Sequence, residues 1–427
     1  MTVQPVPYAD QFARLKPALP GAAALRERAF ADYAAHGFPG MKREAWRHTR
    51  LSGISTAGFE PAGLTDLTPA DIAAHLIPDA LTLVFVNGRI DTALSNVEQA
   101  PPGVTIESLA KVLARGDELS ERLAQAAGAT PDDALVSLNT ALMHDGAVIR
   151  IAEGVTVEAP IHLLFFSKQT GMAQVRNVIV AGAGSRATLA EGYFGGKDTY
   201  WTNVVNQFFL EPGAQIDHVR EQSEGAAAYH IASNHVQLAA NARFDSATIM
   251  LGGLIARNET RVNVLGEGAD CRLAGVSLGR GKQLHDNVTI LDHAVPNSTS
   301  DQMFKAVLDD QAHAVYQGKV IVRPDAQKTD ARQANHNILL ARTAEASSKP
   351  ELEIFADDVK CAHGATVGEL DKDMLFYMQA RGLDERTARA LLVEGFVVEV
   401  LERIGSTEIR DMVSTGVGGW LHGRHLS

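Results

Sequence analysis

The chain has 427 residues, of which 45% are hydrophobic and 21% are charged, so it can bury a large core in two or three domains or in one long repetitive one. Its 39 Lys and Arg against 51 Asp and Glu give a formal net charge of −12, which repels phosphate backbones and anionic membrane surfaces. We therefore expect no nucleic-acid partner and no membrane partner. The absence of a long apolar run and of a secretory signal pattern predicts a cytoplasmic protein.

Residues 1–145 are predicted to form an N-terminal, mainly helical α/β domain. The segment AALRERAFADYAAHG places Leu25, Phe30 and Tyr33 near helical spacing and ends at Gly37. Two later segments, IESLAKVLARG and DDALVSLNTALMHDG, have helical patterns that also end on glycine. Between the first helical segment and these two, LTLVFVNGRID predicts a short β-hairpin with its turn at Asn87 and Gly88.

Residues 146–345 are predicted to form a β-solenoid core. Short apolar runs separated by turn residues continue for nearly 200 residues without an amphipathic helix. Similar turn-then-strand phrases begin at Gly182, Gly213, Ala240 and Gly266, at steps of 31, 27 and 26 residues. Steps of this length suit one solenoid turn each, and an array of two-sheet sandwiches is the alternative.

Residues 346–427 are predicted to form a C-terminal helical domain, with a helical hairpin on one end of the solenoid. The first helix places Met374, Leu375 and Met378 on one face and ends at Gly382. The second begins at Asp384, a suitable N-cap, and its apolar stripe is expected to pack the hairpin. That stripe comprises Ala388, Leu391, Leu392, Gly395, Phe396 and Leu401.

Two glycine-rich segments resemble nucleotide-binding motifs without their context. Gly182, Gly184 and Ala187 follow an apolar strand as in a dinucleotide fingerprint, but no amphipathic helix follows. The segments GGKD and RGKQ lack the remaining residues of a phosphate-binding loop. We expect no ATP hydrolysis by this chain.

The histidines of the predicted solenoid allow two interpretations. A metal or acid/base cluster is one, and a set of polar residues that line one solenoid face and cap its turns is the favoured other. The residues are His235, His285, His293, His313 and His336. Cys271 alternates with apolar neighbours and is predicted to be a small buried core residue.

Cys361 and His363 are the strongest candidate site residues. If DVKCAHGATVG is extended, residues two apart project to the same face, so thiol and imidazole point the same way. Both groups suit iron, zinc and iron–sulfur centres, but two ligands complete only half of a tetrahedral site. A metal site shared with another chain and a purely structural pair both remain open, and a nucleophilic Cys–His pair is disfavoured because a third, orienting group is hard to place.

The segment from DDVKCAHGATVG to LLVEGFVVEVLERI closely resembles the C-terminal part of the SufB/SufD family of iron–sulfur cluster assembly proteins. Its His-Gly-Ala-Thr form resembles the SufD branch, since SufB typically has Glu at the position of Gly364. The segments GFPGMKREAWRHTRL and LHDNVTILDHAVPNSTSDQMFKAV also resemble the family. The resemblance therefore extends over essentially the whole chain.

The resemblance implies a right-handed parallel β-helix between an N-terminal helical region and a C-terminal helical domain. It implies a non-catalytic scaffold subunit that pairs with SufB through the β-helix, forms a homodimer when isolated, and docks the SufC ATPase on its C-terminal domain. The expected docking residues are Met374, Phe376, Tyr377 and Gln379.

The resemblance also implies a transient iron–sulfur cluster, shared with SufB, and no intrinsic cofactor. It places His363 at the SufB interface near a SufB cysteine, with a contribution to iron acquisition and nascent cluster formation. Cys361 matches a family cysteine that is either a ligand or structural. A carbohydrate-active β-helix enzyme and an interaction scaffold without a metal role are the alternatives, although only 6% of the residues are aromatic, which is few for sugar-binding platforms.

Overall fold

The computed structural model describes residues 6–116, 119–126 and 130–423. Nineteen strands and ten α-helices lie within these ranges. In chain order the strands are β1 (Leu81–Val86), β2 (Arg89–Asp91), β3 (Val104–Ser108), β4 (Ala147–Ile151), β5 (Ile161–Ser167), β6 (Gly171–Ala181), β7 (Arg186–Gly195), β8 (Tyr200–Leu210), β9 (Gln215–Ser223), β10 (Tyr229–Leu238), β11 (Arg243–Met250), β12 (Ile255–Val264), β13 (Asp270–Gly279), β14 (Leu284–His293), β15 (Thr299–Leu308), β16 (His313–Val322), β17 (Asp330–Leu339), β18 (Glu345–Ile354) and β19 (Lys360–Gly368).

The helices lie at both ends of the chain. They are α1 (Ala9–Leu15), α2 (Ala23–His36), α3 (Ser52–Ala57), α4 (Pro69–Ile72), α5 (Leu109–Arg115), α6 (Ser120–Ala126), α7 (Ala134–Leu142), α8 (Lys372–Ala380), α9 (Glu385–Leu401) and α10 (Thr407–Leu421). One-turn 3-10 helices occur at Lys16–Ala18, Glu44–Trp46, Ala73–His75, Val97–Gln99 and Pro131–Asp133.

The strands form a parallel β-solenoid of about eight turns, which confirms the predicted fold class. The odd-numbered strands from β5 to β19 lie side by side in one sheet, and the even-numbered strands from β4 to β18 lie in the other. Pairing from β4 onward is parallel within each sheet. The chain therefore crosses from one sheet to the other after every strand and advances by one turn for every two strands.

The repeat found in the sequence corresponds to one full turn of this coil. Gly182, Gly213, Ala240 and Gly266 precede β7, β9, β11 and β13, which are consecutive neighbours in the 10-stranded sheet. The side chains at alternate positions fill the interior. Phe85, Phe165 and Tyr193 stack there with ring centroids 4.5 and 4.6 Å apart. Such stacking of matched positions on successive turns keeps the register of the strands fixed.

The N-terminal region contributes strands to both sheets. The predicted hairpin is confirmed: β1 and β2 pair antiparallel, and Asn87 and Gly88 have φ of 51° and 78°, the positive values that its two-residue turn requires. Strand β1 then pairs in parallel with β5, and β3 pairs with β4. The sheets thus continue across residue 145, and they also continue across residue 345 into β18 and β19, while the proposed domain limits stay a prediction.

The C-terminal helices pack on the side of the solenoid, and the prediction that they sit on one end is wrong. Helices α9 and α10 cover the outer face of the 10-stranded sheet. Eight of their buried residues pack in one cluster with Val219, Ala247, Ile249, Val276 and Val307 of the sheet. The eight are Val393, Val397, Val400, Leu401, Ile409, Val413, Val417 and Trp420. The burial of these apolar side chains against the sheet is the force that holds the helices there.

The apolar stripe predicted for α9 is only partly correct. Ala388 and Leu401 are buried and Phe396 is partly buried, but Leu391 is 43% exposed. Helix α9 has apolar residues on more than one side, and the side that packs against the sheet is the one with the buried valines Val393, Val397 and Val400. The predicted N-cap is confirmed, because the Asp384 carboxylate accepts a hydrogen bond from the Thr387 backbone N–H at 3.0 Å.

A carboxyl group is buried beneath α10. Glu221 of β9 is 3% exposed, and a Cβ added to Gly416 of α10 would lie only 2.6 Å from its Oε1 atom. Gly416 therefore allows the helix to approach the sheet. Burial raises the pKa of Glu221 to about 8.

We expect the protein to lose stability as the pH rises toward 8, because folded Glu221 keeps its proton while the unfolded carboxyl loses it above about pH 4.3. Glutamine does not ionise, so the Glu221→Gln variant should not lose stability in this way. The thermal unfolding temperature of the variant minus that of the wild type should therefore be larger at pH 9 than at pH 5. Glu402→Gln, at an exposed position, is the matched control. An equal difference between Glu221→Gln and wild type at both pH values would contradict the expectation.

Candidate functional site

Cys361 and His363 lie on β19, the last strand of the solenoid. Strand β19 is the edge strand of the 10-stranded sheet, and β18 is the corresponding edge strand of the 9-stranded sheet. No described strand covers the interior beyond this last turn, so it forms an open end of the coil. The two candidate residues are therefore on the terminal turn and not in the middle of the core.

The register of β19 shows which way the two side chains face. Cys361 lies opposite Ala331 and His363 opposite Gln333 on β17, and both β17 residues are buried. Matching positions on paired parallel strands share a face, so Cys361 and His363 both lie on the interior side. The prediction that the two residues share a face is confirmed.

The two side chains differ in their surroundings. Cys361 is half-buried and packs against the hydrophobic core of the solenoid. Burial raises the pKa of the Cys361 thiol above its ordinary value, and a thiol is a poorer metal ligand than a thiolate. His363 is exposed, and its ring has no hydrogen-bond partner among the described residues. His363 is thus the group of the pair that is accessible to another molecule.

The other sequence candidates do not join this pair. His285 bonds the Gly252 carbonyl oxygen, His293 bonds Ser298 and Ser300, His313 bonds Ser347, and His336 bonds Thr366, at 2.8 to 3.1 Å. Each of these histidines has its own hydrogen-bond partner, so they do not form one cluster. This agrees with their interpretation as polar residues that line the solenoid faces. Within the described ranges, no group of three or more His, Cys, Asp or Glu side chains is arranged to hold a metal ion.

Cys271 belongs to the core, as predicted. Its side chain is fully buried among apolar residues of the interior. Burial raises the pKa of the Cys271 thiol well above its ordinary value. A buried, protonated thiol has a packing role.

The predicted partner-binding residues form an exposed surface on α8, which we call the α8 surface. Met374, Phe376 and Tyr377 are 49%, 71% and 55% exposed, and Gln379 is also exposed. Helix α8 has no fully buried residue, and its other two large apolar side chains are half-buried. Large apolar side chains left in solvent on one short helix are typical of a protein-binding surface.

Gln333 is a neighbour of the pair that the sequence did not reveal. This residue is 3% exposed and lies opposite His363. The alternation in TDARQANHN could have marked it as interior-facing, but its pairing with His363, 30 residues later, depends on the turn lengths between the strands. Its polar atoms are buried without a hydrogen-bond partner among the described residues.

Comparison with known proteins assigns most of the chain to one family. Residues 164–396 match the family model described as SUF system FeS cluster assembly, SufBD core domain. Residues 13–163 match the SufBD protein N-terminal region. The chain belongs to the SufBD family. This family member takes part in iron–sulfur cluster assembly in the SUF system.

Individual relatives agree with the family match over most of their length. The chain is 32% identical over 383 residues to an iron–sulfur cluster assembly SufBD family protein of Synechocystis, covering 86% of this chain and 84% of the relative. It is 33% identical over 400 residues to the chloroplastic protein ABCI7 of Arabidopsis thaliana, covering 90% and 83%. It is 29% identical over 394 residues to the iron–sulfur cluster assembly protein SufD of Escherichia coli, covering 91% and 90%.

None of the described helices of this SufBD family member is long and apolar enough to cross a lipid bilayer.

Proposed function

We propose that this SufBD family member is the SufD-type, non-catalytic scaffold subunit of a cytoplasmic SUF complex. It pairs with SufB at the open end of the solenoid, binds the SufC ATPase through the α8 surface, and contributes His363 to a transient iron–sulfur cluster. The observation that carries this proposal is the exposed His363 imidazole on the interior face of an uncovered terminal strand.

The number of donor groups supports a shared site. Cys361 and His363 provide at most two ligands, whereas an iron–sulfur cluster is held by four protein ligands, thiolates or imidazoles, in addition to its sulfides. The remaining ligands must come from a chain that approaches the open end. Because Cys361 packs against the hydrophobic core and His363 is exposed, we assign the ligand role first to His363 and only second to Cys361.

The edges of the terminal turn support the mode of pairing. Among the described strands, β18 and β19 each have a sheet neighbour on one side only, and unpaired strand edges are templates for association with another chain. Val367 on β19 is 51% exposed, and Ile354 and Phe355 at the end of β18 are 41% and 59% exposed. A SufB subunit seated here would cover these side chains.

The isolated chain should use the same edge to form a homodimer. Sedimentation velocity at tens of micromolar should show a dimer, and Val367→Lys should weaken it by placing like charges at the interface. Leu64→Lys is the control, since Leu64 is 81% exposed in the N-terminal region, near the first strands. A strictly monomeric wild type at that concentration would argue against pairing through the terminal turn.

Coexpression with SufB and SufC tests the proposal as a whole. We expect one complex to purify through a tag on this chain, and anaerobic reconstitution to give iron–sulfur absorbance that requires SufB. The family match favours this role over a carbohydrate-active enzyme. A scaffold without a metal role would form the same complex, but its absorbance would not depend on His363.

A further inference from the structure

A column of polar side chains runs through the interior of the last turns and ends at His363. Gln302 on β15, Gln333 on β17 and His363 on β19 occupy matching register positions on three consecutive strands. Neighbouring strands in a sheet lie about 4.8 Å apart, so side chains at matching positions are in direct reach of one another.

The inner end of the column is anchored. The Gln302 Oε1 atom accepts hydrogen bonds from the hydroxyl groups of Thr289 at 2.6 Å and Tyr316 at 3.2 Å. Its Nε2 atom is buried without a partner in the described part of the chain. The hydrogen bonds that hold Gln302 in place therefore do not involve Gln333.

In the Gln333 amide, neither polar atom has a hydrogen-bond partner in the described structure, whereas in Gln302 only the Nε2 atom lacks one. Both the Oε1 and the Nε2 atom of Gln333 are buried without a partner among the residues that the structure describes, which is costly for an amide that is only 3% exposed. The Nε2 atom lies toward β16, where a Cβ added to Gly318 would be 2.9 Å from it. The carbonyl oxygen is then the atom left for a donor on β19.

We propose that Gln333 is a positioning residue for His363. Neither group has a hydrogen-bond partner in the described structure, and rotation of the exposed His363 ring toward the interior would let the Gln333 Oε1 atom accept the N–H of one imidazole nitrogen. The other nitrogen, which keeps its lone pair, would then be directed to the open end. The proposal rests on the proposed ligand role of His363. Histidines that bind metals donate their second ring N–H to an acceptor in this way, which fixes both tautomer and ring orientation.

The test uses the full-length isolated chain labelled with ¹⁵N-histidine. Long-range ¹⁵N–¹H spectra of the neutral imidazole should show one dominant His363 tautomer in the wild type, with the signal assigned by its loss in His363→Ala. Gln333→Met, which keeps the size but not the acceptor, should give averaged tautomers. In the complex with SufB and SufC, the same variant should slow cluster assembly roughly 10-fold, the lower range for loss of such a partner.

Two further variants separate positioning from packing. Gln333→Glu keeps an acceptor and should restore the single tautomer. Gln302→Met alters an equally buried residue of the same column one strand away and should leave the His363 tautomer unchanged. Unchanged tautomers in Gln333→Met, or averaging in Gln302→Met as well, would overturn the proposal. Normal assembly by His363→Ala would instead refute the ligand role, whatever the spectra of the Gln333 variants show.

Discussion

Replacing His363 with alanine should nearly abolish cluster assembly while the complex with SufB and SufC still forms. The side chain is exposed and makes no hydrogen bond to a residue of the described structure, so its removal breaks no existing hydrogen bond and costs little stability. If His363 is a ligand, the shared site loses one of its donors. Loss of assembly should therefore exceed the roughly 10- to 100-fold effect usual for groups that only support a ligand.

The measurement has two parts. Iron–sulfur absorbance of the anaerobically purified complex reports the cluster, and growth of cells that lack the pathway reports function. Size-exclusion chromatography of the same sample shows that the complex is intact. Assembly at the wild-type rate in an intact His363→Ala complex would show that the Cys361 and His363 pair is structural.

Cys361→Ser is the matched comparison on the same strand. The thiol packs against the core and is half-buried, so the substitution should cost some stability but reduce assembly less than His363→Ala. An effect as large as that of His363→Ala, with the fold intact, would make Cys361 a second ligand from this chain.

Placing a charge on the α8 surface should break SufC binding and leave SufB pairing intact. Phe376 is 71% exposed and Tyr377 is 55% exposed, so Phe376→Asp and Tyr377→Asp should fold normally. Aromatic residues at the centre of an interface typically contribute about 2 kcal/mol or more, so each variant should weaken binding by roughly 30-fold or more.

Isothermal titration with purified SufC measures this loss. Leu64→Asp serves as a control for an exposed apolar residue in the N-terminal region. Point substitutions are better than removal of the C-terminal helices, because α9 and α10 cover the sheet and their loss would expose its apolar face. Unaltered SufC affinity in both aromatic variants would move the SufC site away from α8.

The solenoid could be predicted from sequence because its information is local and repeated. Each turn needs a short apolar strand and a turn residue at nearly constant spacing, and the phrases from Gly182 to Gly266 show both. The shared face of Cys361 and His363 was predictable for the same reason, since alternation along one strand requires no knowledge of distant residues.

The remaining features depend on contacts between distant residues. The position of α9 on the side of the solenoid follows from which of its apolar faces meets the sheet, and Leu391 and Val393 are both apolar in the sequence although only Val393 is buried. Helix α10 was not predicted, and neither was the column beneath His363. Gln333 reaches that column only because the intervening turns bring β17 and β19 into register.

The uncovered terminal turn also affects the order of events during assembly. In a coiled repeat, each turn is stabilised mainly by its two neighbours, and a last turn with one neighbour is the first to open locally. A SufB subunit would supply the second neighbour, so β19 gains its full rigidity only inside the complex. The β19 backbone at His363 would then be fixed only when a second subunit covers the terminal turn, which makes iron capture conditional on assembly although Gln333 already sets the tautomer of the ring.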